Sequence, residues 1–215
     1  LLVSLSDSQR YPSARIIILD IHGEYYSALR DRATVFRVNA DDKQGEKPLY
    51  IPYWALSFDE LLRVTPFRSV TDTDRAGLVE KVKELKLESI QTQSRDGVTP
   101  DTMTVDTPVP FSIHRLWYEL HRFVCSTHTA MSSNQSEAIE ALQLDGDGNP
   151  IRGEIMRVIP PRYRPITQGG LDRVYLSAAP LNIRRQIIAL QSLLRDTRYD
   201  FLFRPGPWCP NPEGQ

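Results

Sequence analysis

The first patterned segment of the chain is an unbroken apolar run, Ile16-Ile17-Ile18-Leu19, rich in β-branched residues. Such a run suits a strand covered on both faces, as in a parallel sheet beneath helices. Before it, Leu1 to Gln9 reads as the last turns of an amphipathic helix. Tyr11-Pro12-Ser13 ends that helix, because proline cannot continue the hydrogen-bond ladder. After it, Tyr25 to Arg30 reads as a short helix, and Ala33 to Val38 alternates as a second strand. Strand, helix and strand together predict one edge of an α/β layer.

The period then changes. Asp41 to Lys47 is a polar loop, and Leu49 to Trp54 reads as a short extended piece. Ser57 followed by Glu60 is a capping box ahead of Leu61 and Leu62. From Asp72 to Gln91, the residues Leu78, Val82, Leu85 and Ile90 fall on one helical stripe. A Thr-rich loop covers Ser94 to Pro110, and Ile113 to Val124 is a further helix. A short helix is expected near Ser136 to Leu144, followed by irregular chain over 151–180. Asn182 to Arg195 is amphipathic, with Ile183, Ile187, Leu190 and Leu194 on one stripe and Asn182 as N-cap. Asp200 to Phe203 reads as a short closing strand. The expected organisation is an α/β part over 1–54, a mainly helical insertion over 55–195, and a return strand with a Pro/Gly-rich tail over 196–215.

Composition narrows the class without naming it. The 215 residues are 40% hydrophobic and 25% charged, with a formal net charge of -1. Bulk charge therefore gives no argument for a nucleic-acid or membrane partner, and any basic surface must be local. Two cysteines make no disulfide framework, which points to a reducing, cytoplasmic setting. No run of about 18 apolar residues is present, so no membrane span is expected. No basic segment precedes an apolar one, as a signal peptide would need. The chain opens on leucine and closes in RPGPWCPNPEGQ, which suggests a piece of a longer protein.

The chemistry concentrates where the apolar run ends, in RIIILDIHGEY. In open parallel sheets ligands sit beyond the carboxyl ends of strands, where Asp20 and Glu24 would lie. Gly23 lets the backbone turn sharply beside a ligand. The bland alternative is a strand-to-helix turn with Glu24 favouring a helix N-terminus.

Asp20, His22, Gly23, Glu24 and Tyr25 in this order resemble the D-x-H-G-E-Y segment of the HerA/FtsK superfamily of P-loop ATPases. The segments PLYIPYWALSFDELLRV and RYDFLFRPG resemble the same family more loosely. The family order is P-loop, helix, D-x-H-G-E-Y strand, helical insertion, Walker B; the chain contains no G-x-x-x-x-G-K-[ST] and no Walker B strand. The resemblance implies an α/β fragment of a RecA-like P-loop core with a large, mainly helical insertion. It implies catalytic roles for Asp20 and Glu24, holding the waters of magnesium or orienting the attacking water, with His22, Gly23 and Tyr25 at the nucleotide. It implies a parent that forms a ring, a hexamer by this resemblance, and uses ATP and Mg2+ to translocate double-stranded DNA. A nuclease or other effector would be its partner, in DNA end processing and repair or in antiviral defence. The fragment alone is expected to hold no cofactor and to hydrolyse no ATP. A different class of reading is a non-catalytic helical interaction or oligomerisation module.

Three other constellations carry candidate chemistry. His121, Cys125 and His128 at i, i+4, i+7 have a zinc-like spacing but no fourth ligand, so no metal is expected. DGDGNP at 145–150 opens like a calcium loop, yet its twelfth position is Met156, and a tight turn is the better reading. Arg162, Arg164 and Arg173, with Arg152, Arg157 and the aromatics Tyr163 and Tyr175, form a local basic region suited to nucleic acid. Arg184, Arg185, Arg195 and Arg198 follow, and one arginine could reach a neighbouring subunit's nucleotide. Solvated surface arginines are the alternative.

Overall fold

The computed structural model describes residues 10, 13, 15–92, 96–129, 139–167, 173–176 and 181–210. The helix expected at Leu1 to Gln9 lies outside the described residues. The chain divides into two compact units, residues 1–50 and 51–215.

In the first unit, residues 15–20 form no helix and carry no strand pairing among the described residues. Ile17 and Leu19 are 90% and 87% exposed, against 43% and 38% for Ile16 and Ile18. The alternation is that of extended chain, but the expected burial on both faces is not met. A strand is fixed by ladder partners and covering layers, and neither reaches this run among the described residues. Helix α1, Tyr26–Leu29, falls inside the expected span. The second expected strand shrinks to β1, Phe36–Arg37, which pairs in parallel with β2, Lys47–Pro48. The polar loop between them holds a 3-10 turn, Asp42–Gln44, capped by the Asp41 carboxylate on the Lys43 N–H. Gly45 closes it in the left-handed region at φ +71°.

The second unit holds the hydrophobic core. The piece expected to be extended up to Trp54 instead ends in a 3-10 turn, Tyr53–Ala55. The reason is that both side chains point into the core and are tied there. The Tyr53 hydroxyl accepts from the Ile113 N–H at 2.9 Å, and the Trp54 indole N–H donates to the Trp208 carbonyl at 2.9 Å. Helix α2, Phe58–Val64, starts at the predicted capping box, with Glu60 accepting from the Ser57 N–H at 2.8 Å. Helix α3, Asp72–Thr92, buries Leu78, Val82, Leu85 and Ile90 as the stripe predicts. Helix α4, Ile113–Cys125, packs against both α3 and α5, Arg184–Arg195. Ile183, Ile187, Leu190 and Leu194 are all buried on the α5 stripe. Each such side chain contributes roughly 1.5–3 kcal/mol relative to exposure.

Asn182 is not the cap of α5. Ile183 holds the N-cap position, and the Asn182 N–H donates to the buried Asp74 carboxylate at 2.8 Å. That carboxylate also accepts from the Thr71 hydroxyl at 2.7 Å. Asp74 therefore ties the start of α3 to the entry of α5, a long-range partner that outbids local capping. Close by, a Cβ on Gly77 would stand 2.6 Å from Leu181 Cδ2, so a larger residue there requires the Leu181 side chain to shift.

Two further expectations fail. Of the short helix near Ser136 to Leu144, residues 136–138 lie outside the described residues, and 140–144 are not helical. Glu140, Leu142 and Leu144 instead make antiparallel bridges to His128, Tyr163 and Pro150. Long-range pairing overrides helix propensity here, as the Ala141 N–H donates to the Thr127 carbonyl at 2.7 Å. Thr127–His128, β3, also pairs antiparallel with β4, Tyr175–Leu176. Asp200–Phe203 is not a strand but a single helical turn, α6, following a 3-10 turn capped by Asp196. It puts Leu202 and Phe203 into the core, while the Phe201 carbonyl accepts from the Ile51 N–H at 2.9 Å. DGDGNP is a tight turn, with Asp145 accepting from the N–H groups of Asp147 and Asn149.

Lys86 on α3 is buried, and its ammonium donates to the Val105 and Thr107 carbonyls at 2.6 and 2.7 Å. Burial pushes its pKa down to about 8, while Asp106 nearby acts in the opposite direction. This lysine pins the Thr-rich loop to the helix.

Candidate functional site

The loop that ends the apolar run is built by Asp20. One carboxylate oxygen accepts from the Glu24 N–H, and the other from the N–H groups of Tyr25 and Tyr26, each at 3.0 Å. Three otherwise orphaned donors at the start of α1 are satisfied by one acid. Gly23 turns the chain inside this clasp at φ +74°, with no atom near a would-be Cβ. Conformation rather than space selects glycine there. His22, Glu24 and Tyr25 are exposed on the loop.

The five residues singled out from the sequence thus share one turn, but in unequal roles. Asp20 spends both oxygens on backbone donors, whereas Glu24 presents its carboxylate at the surface. Oxygen donors of this kind suit the hydration shell of Mg2+. Glu24 fits that role better than Asp20, whose remaining lone pairs are constrained by the cap. The triphosphate needs a glycine-rich cradle of backbone N–H groups, and no such motif occurs in the sequence.

Sequence reasoning missed Glu46. It is the only buried residue among the described residues of 1–50. Its carboxylate accepts from the Asp41 N–H at 2.9 Å and from Arg37 Nη1 at 3.1 Å. The Asp41 N–H, more than the Arg37 guanidinium, holds this carboxyl below the usual range. An isolated Gly-Glu-Lys in a polar loop carries no signal that the acid will turn inward.

In the second unit, Arg162 and Arg164 flank Tyr163 on one segment. Arg173 precedes Val174, which bridges antiparallel to Thr167. Arg162 and Arg173 are exposed and Arg164 is half-buried. Tyr163 points the other way and stacks on His121, with ring centroids 6.2 Å apart and planes 13° from parallel. The face that meets His121 is therefore not available to a base. Several other arginines are structural. Arg195 Nη2 donates to the Val158 carbonyl at 2.7 Å, Arg184 to the Val124 carbonyl at 3.2 Å, and Arg198 pairs with Asp196 at 2.6 Å. His121, Cys125 and His128 do not converge: among the described residues no three His, Cys, Asp or Glu side chains could hold one metal ion. His128 Nε2 lies 3.0 Å from the Ser126 hydroxyl. Among the described residues, no helix is long and apolar enough to cross a membrane.

The sequence model of the family described as "Helicase HerA, central domain" (DUF87) matches residues 1–147. No protein of curated function matches the chain.

Proposed function

This chain belongs to the HerA central-domain family, of P-loop ATPase type, and on that premise we propose that it supplies the D-x-H-G-E-Y loop of a ring ATPase. Residues 1–54 are then part of a RecA-like core and 55–195 a mainly helical insertion, with 196–215 returning toward the core. The ring, hexameric by resemblance, spends ATP on moving along double-stranded DNA in the cytoplasm, with a nuclease or other effector acting beside it in DNA end processing or antiphage defence. Arg162 and Arg173, exposed on the second unit, are the candidates for phosphate contacts, with Arg164 beside them.

The observation that carries this reading is the loop itself: an apolar run ending in a capped turn that leaves His22, Glu24 and Tyr25 exposed. When bound, Mg2+ neutralises charge developing on the phosphates. Glu24 orients water at that edge, Asp20 fixes the turn, and His22, Gly23 and Tyr25 line the approach of the nucleotide.

The test is turnover in the ATPase assembled with this chain. Glu24→Gln is expected to lower kcat by roughly 100-fold with an unchanged melting temperature. Residues 1–215 alone are expected to hydrolyse no ATP above buffer. Wild-type turnover in Glu24→Gln, or magnesium-dependent hydrolysis by the isolated chain, overturns the reading. The competing reading, a non-catalytic helical module, draws on the packed core of residues 51–215. It predicts that Glu24→Gln is silent while assembly depends on the second unit.

A further inference from the structure

Two sets of arginines in the second unit meet on one hairpin. Glu154 and Ile159 exchange backbone bonds at 2.8 and 2.9 Å, and the Arg162 N–H donates to the Ile151 carbonyl at 3.0 Å. Residues 155–158 form the tip. Arg195 on α5 donates to the Val158 carbonyl at 2.7 Å, and Arg204, just after α6, to the Met156 carbonyl at 3.2 Å. The Tyr118 hydroxyl on α4 donates to the Arg152 carbonyl at 2.7 Å. Three separate elements therefore hold the backbone of one short hairpin.

That backbone is strained as well as held. Val158 is fully buried at φ +56°, where a β-branched side chain crowds the chain. Gly153 turns at φ +74°, and a Cβ there would stand 2.3 Å from the Ile159 carbonyl oxygen. Such conformations persist only where the surroundings over-determine them, and they concentrate where a fixed shape has a use.

What the fixed shape displays is guanidinium. Arg152, Arg157 and Arg162 are all exposed on the hairpin. Arg157, in the tip, has a 71% exposed side chain and pairs with Glu154 at 3.4 Å, an open ion pair of the weak kind. Over 150–164 four arginines stand against one acid, in a chain of formal net charge -1. No lysine follows Lys86 anywhere in the sequence. A merely solvated surface uses lysine as readily as arginine, whereas the planar guanidinium fork matches phosphate oxygens two at a time. Met156 is the one exposed large apolar side chain over 150–164. A stable protein interface has an apolar, well-packed centre; a phosphate backbone asks only for cations in register.

We propose that the hairpin over 151–162 is a preformed grip for the phosphate backbone of duplex DNA, with Arg157 at its tip and Arg152 and Arg162 on its arms. The inference rests on the reading of the parent as an ATPase that moves along DNA. To that reading it adds Arg152 and Arg157 as contacts, and the element that presents them.

The test is binding of the full chain to a short labelled DNA duplex, titrated from low to physiological salt. Arg152→Gln and Arg157→Gln are each expected to raise Kd by roughly 3- to 10-fold and to flatten the log–log salt dependence by about 0.9. Gly153→Ala keeps every charge but drives a Cβ into the Ile159 carbonyl. It is expected to weaken binding to a similar degree while the helical circular dichroism is retained. Wild-type affinity and salt dependence in Arg152→Gln and Arg157→Gln, with binding weakened in Arg162→Gln and Arg173→Gln, overturn the proposal and leave the DNA reading standing. Wild-type binding by Gly153→Ala overturns the preformed grip. Competition by polyglutamate as strong as that by unlabelled duplex at equal charge assigns the hairpin to an acidic protein and overturns it too. A wild-type chain that binds no duplex even at low salt overturns both the proposal and the DNA reading.

Discussion

The carbonyl of Val158 accepts from Arg195 Nη2 at 2.7 Å while Val158 itself stands at φ +56°, fully buried. Gln191 adds a second donor at 3.2 Å. A β-branched residue avoids the left-handed region because its side chain crowds the backbone. The hairpin around it is closed by paired bonds between Glu154 and Ile159 at 2.8 and 2.9 Å. Arg204 and Tyr118 clasp it further, at the Met156 and Arg152 carbonyls. The surroundings over-determine a conformation the residue alone would leave.

That arrangement separates two effects of shortening the side chain. Val158→Ala keeps a Cβ at positive φ and loses buried methyl groups, so it is expected to destabilise by about 1.5–3 kcal/mol. Val158→Gly loses one carbon more but relieves strain of about 1 kcal/mol or more. Urea denaturation should therefore rank glycine no worse than alanine. Alanine clearly above glycine would show that the backbone is not strained there.

Residues 196–210 matter to the core of the second unit. Leu202 and Phe203 are buried with the α5 stripe, and the Phe201 carbonyl holds the Ile51 N–H. A segment ending at 195 should melt well below one ending at 210. Within the longer segment, Ile187→Asp should cost roughly 4 kcal/mol or more, because it leaves an unpaired carboxylate at a fully buried position. Far-ultraviolet circular dichroism with heating reads both; equal melting of the two segments, or of the variant and wild type, contradicts the packing described.

His114 on α4 supplies a pH test. Burial, and then the charge of Arg204 whose Nε lies 3.5 Å from its ring, pushes its pKa down to about 4. The unfolded chain binds this proton near pH 6.5, so it holds more protons than the folded state between about 4 and 6.5. Stability from this group is then complete above that window and falls as pH drops through it, by up to about 3 kcal/mol. His121, also lowered by burial, contributes in the same direction. His114→Gln should flatten the fall in melting temperature between pH 7 and 4, though not abolish it. An unchanged slope would mean that His114 is solvated in the folded state.

The helices were readable because their signals are local. The Ser57–Glu60 box and the stripes on α3 and α5 need only residues within a few turns of each other, and those residues are where the pattern puts them. What failed depends on partners far along the chain. Asp74 takes the Asn182 N–H across 108 positions, Thr127 takes the segment at 141 out of helix, and Tyr53 and Trp54 turn inward to reach residues 113 and 208. The loop at Asp20–Tyr25 was legible as a motif. Its inner logic, Asp20 as a cap and Glu46 turned inward onto the Asp41 N–H and Arg37, was not, because an acid in a polar loop looks the same whether it faces water or the interior.

The exposed run beside that loop has a consequence for how the chain behaves before it meets its surroundings. Ile17, Leu19 and Ile21 are nearly bare, and residues 15–20 carry no strand pairing among the described residues. Short β-branched segments of this kind are templates for like-with-like stacking. Arg15 ahead of the run and Asp20 within it put opposite charges at its ends, the placement by which gatekeepers interrupt a growing stack. Neutralising both would lengthen the uncharged stretch on each side, and the first symptom would be seen in the expression host, as inclusion bodies, before any assay of catalysis could begin.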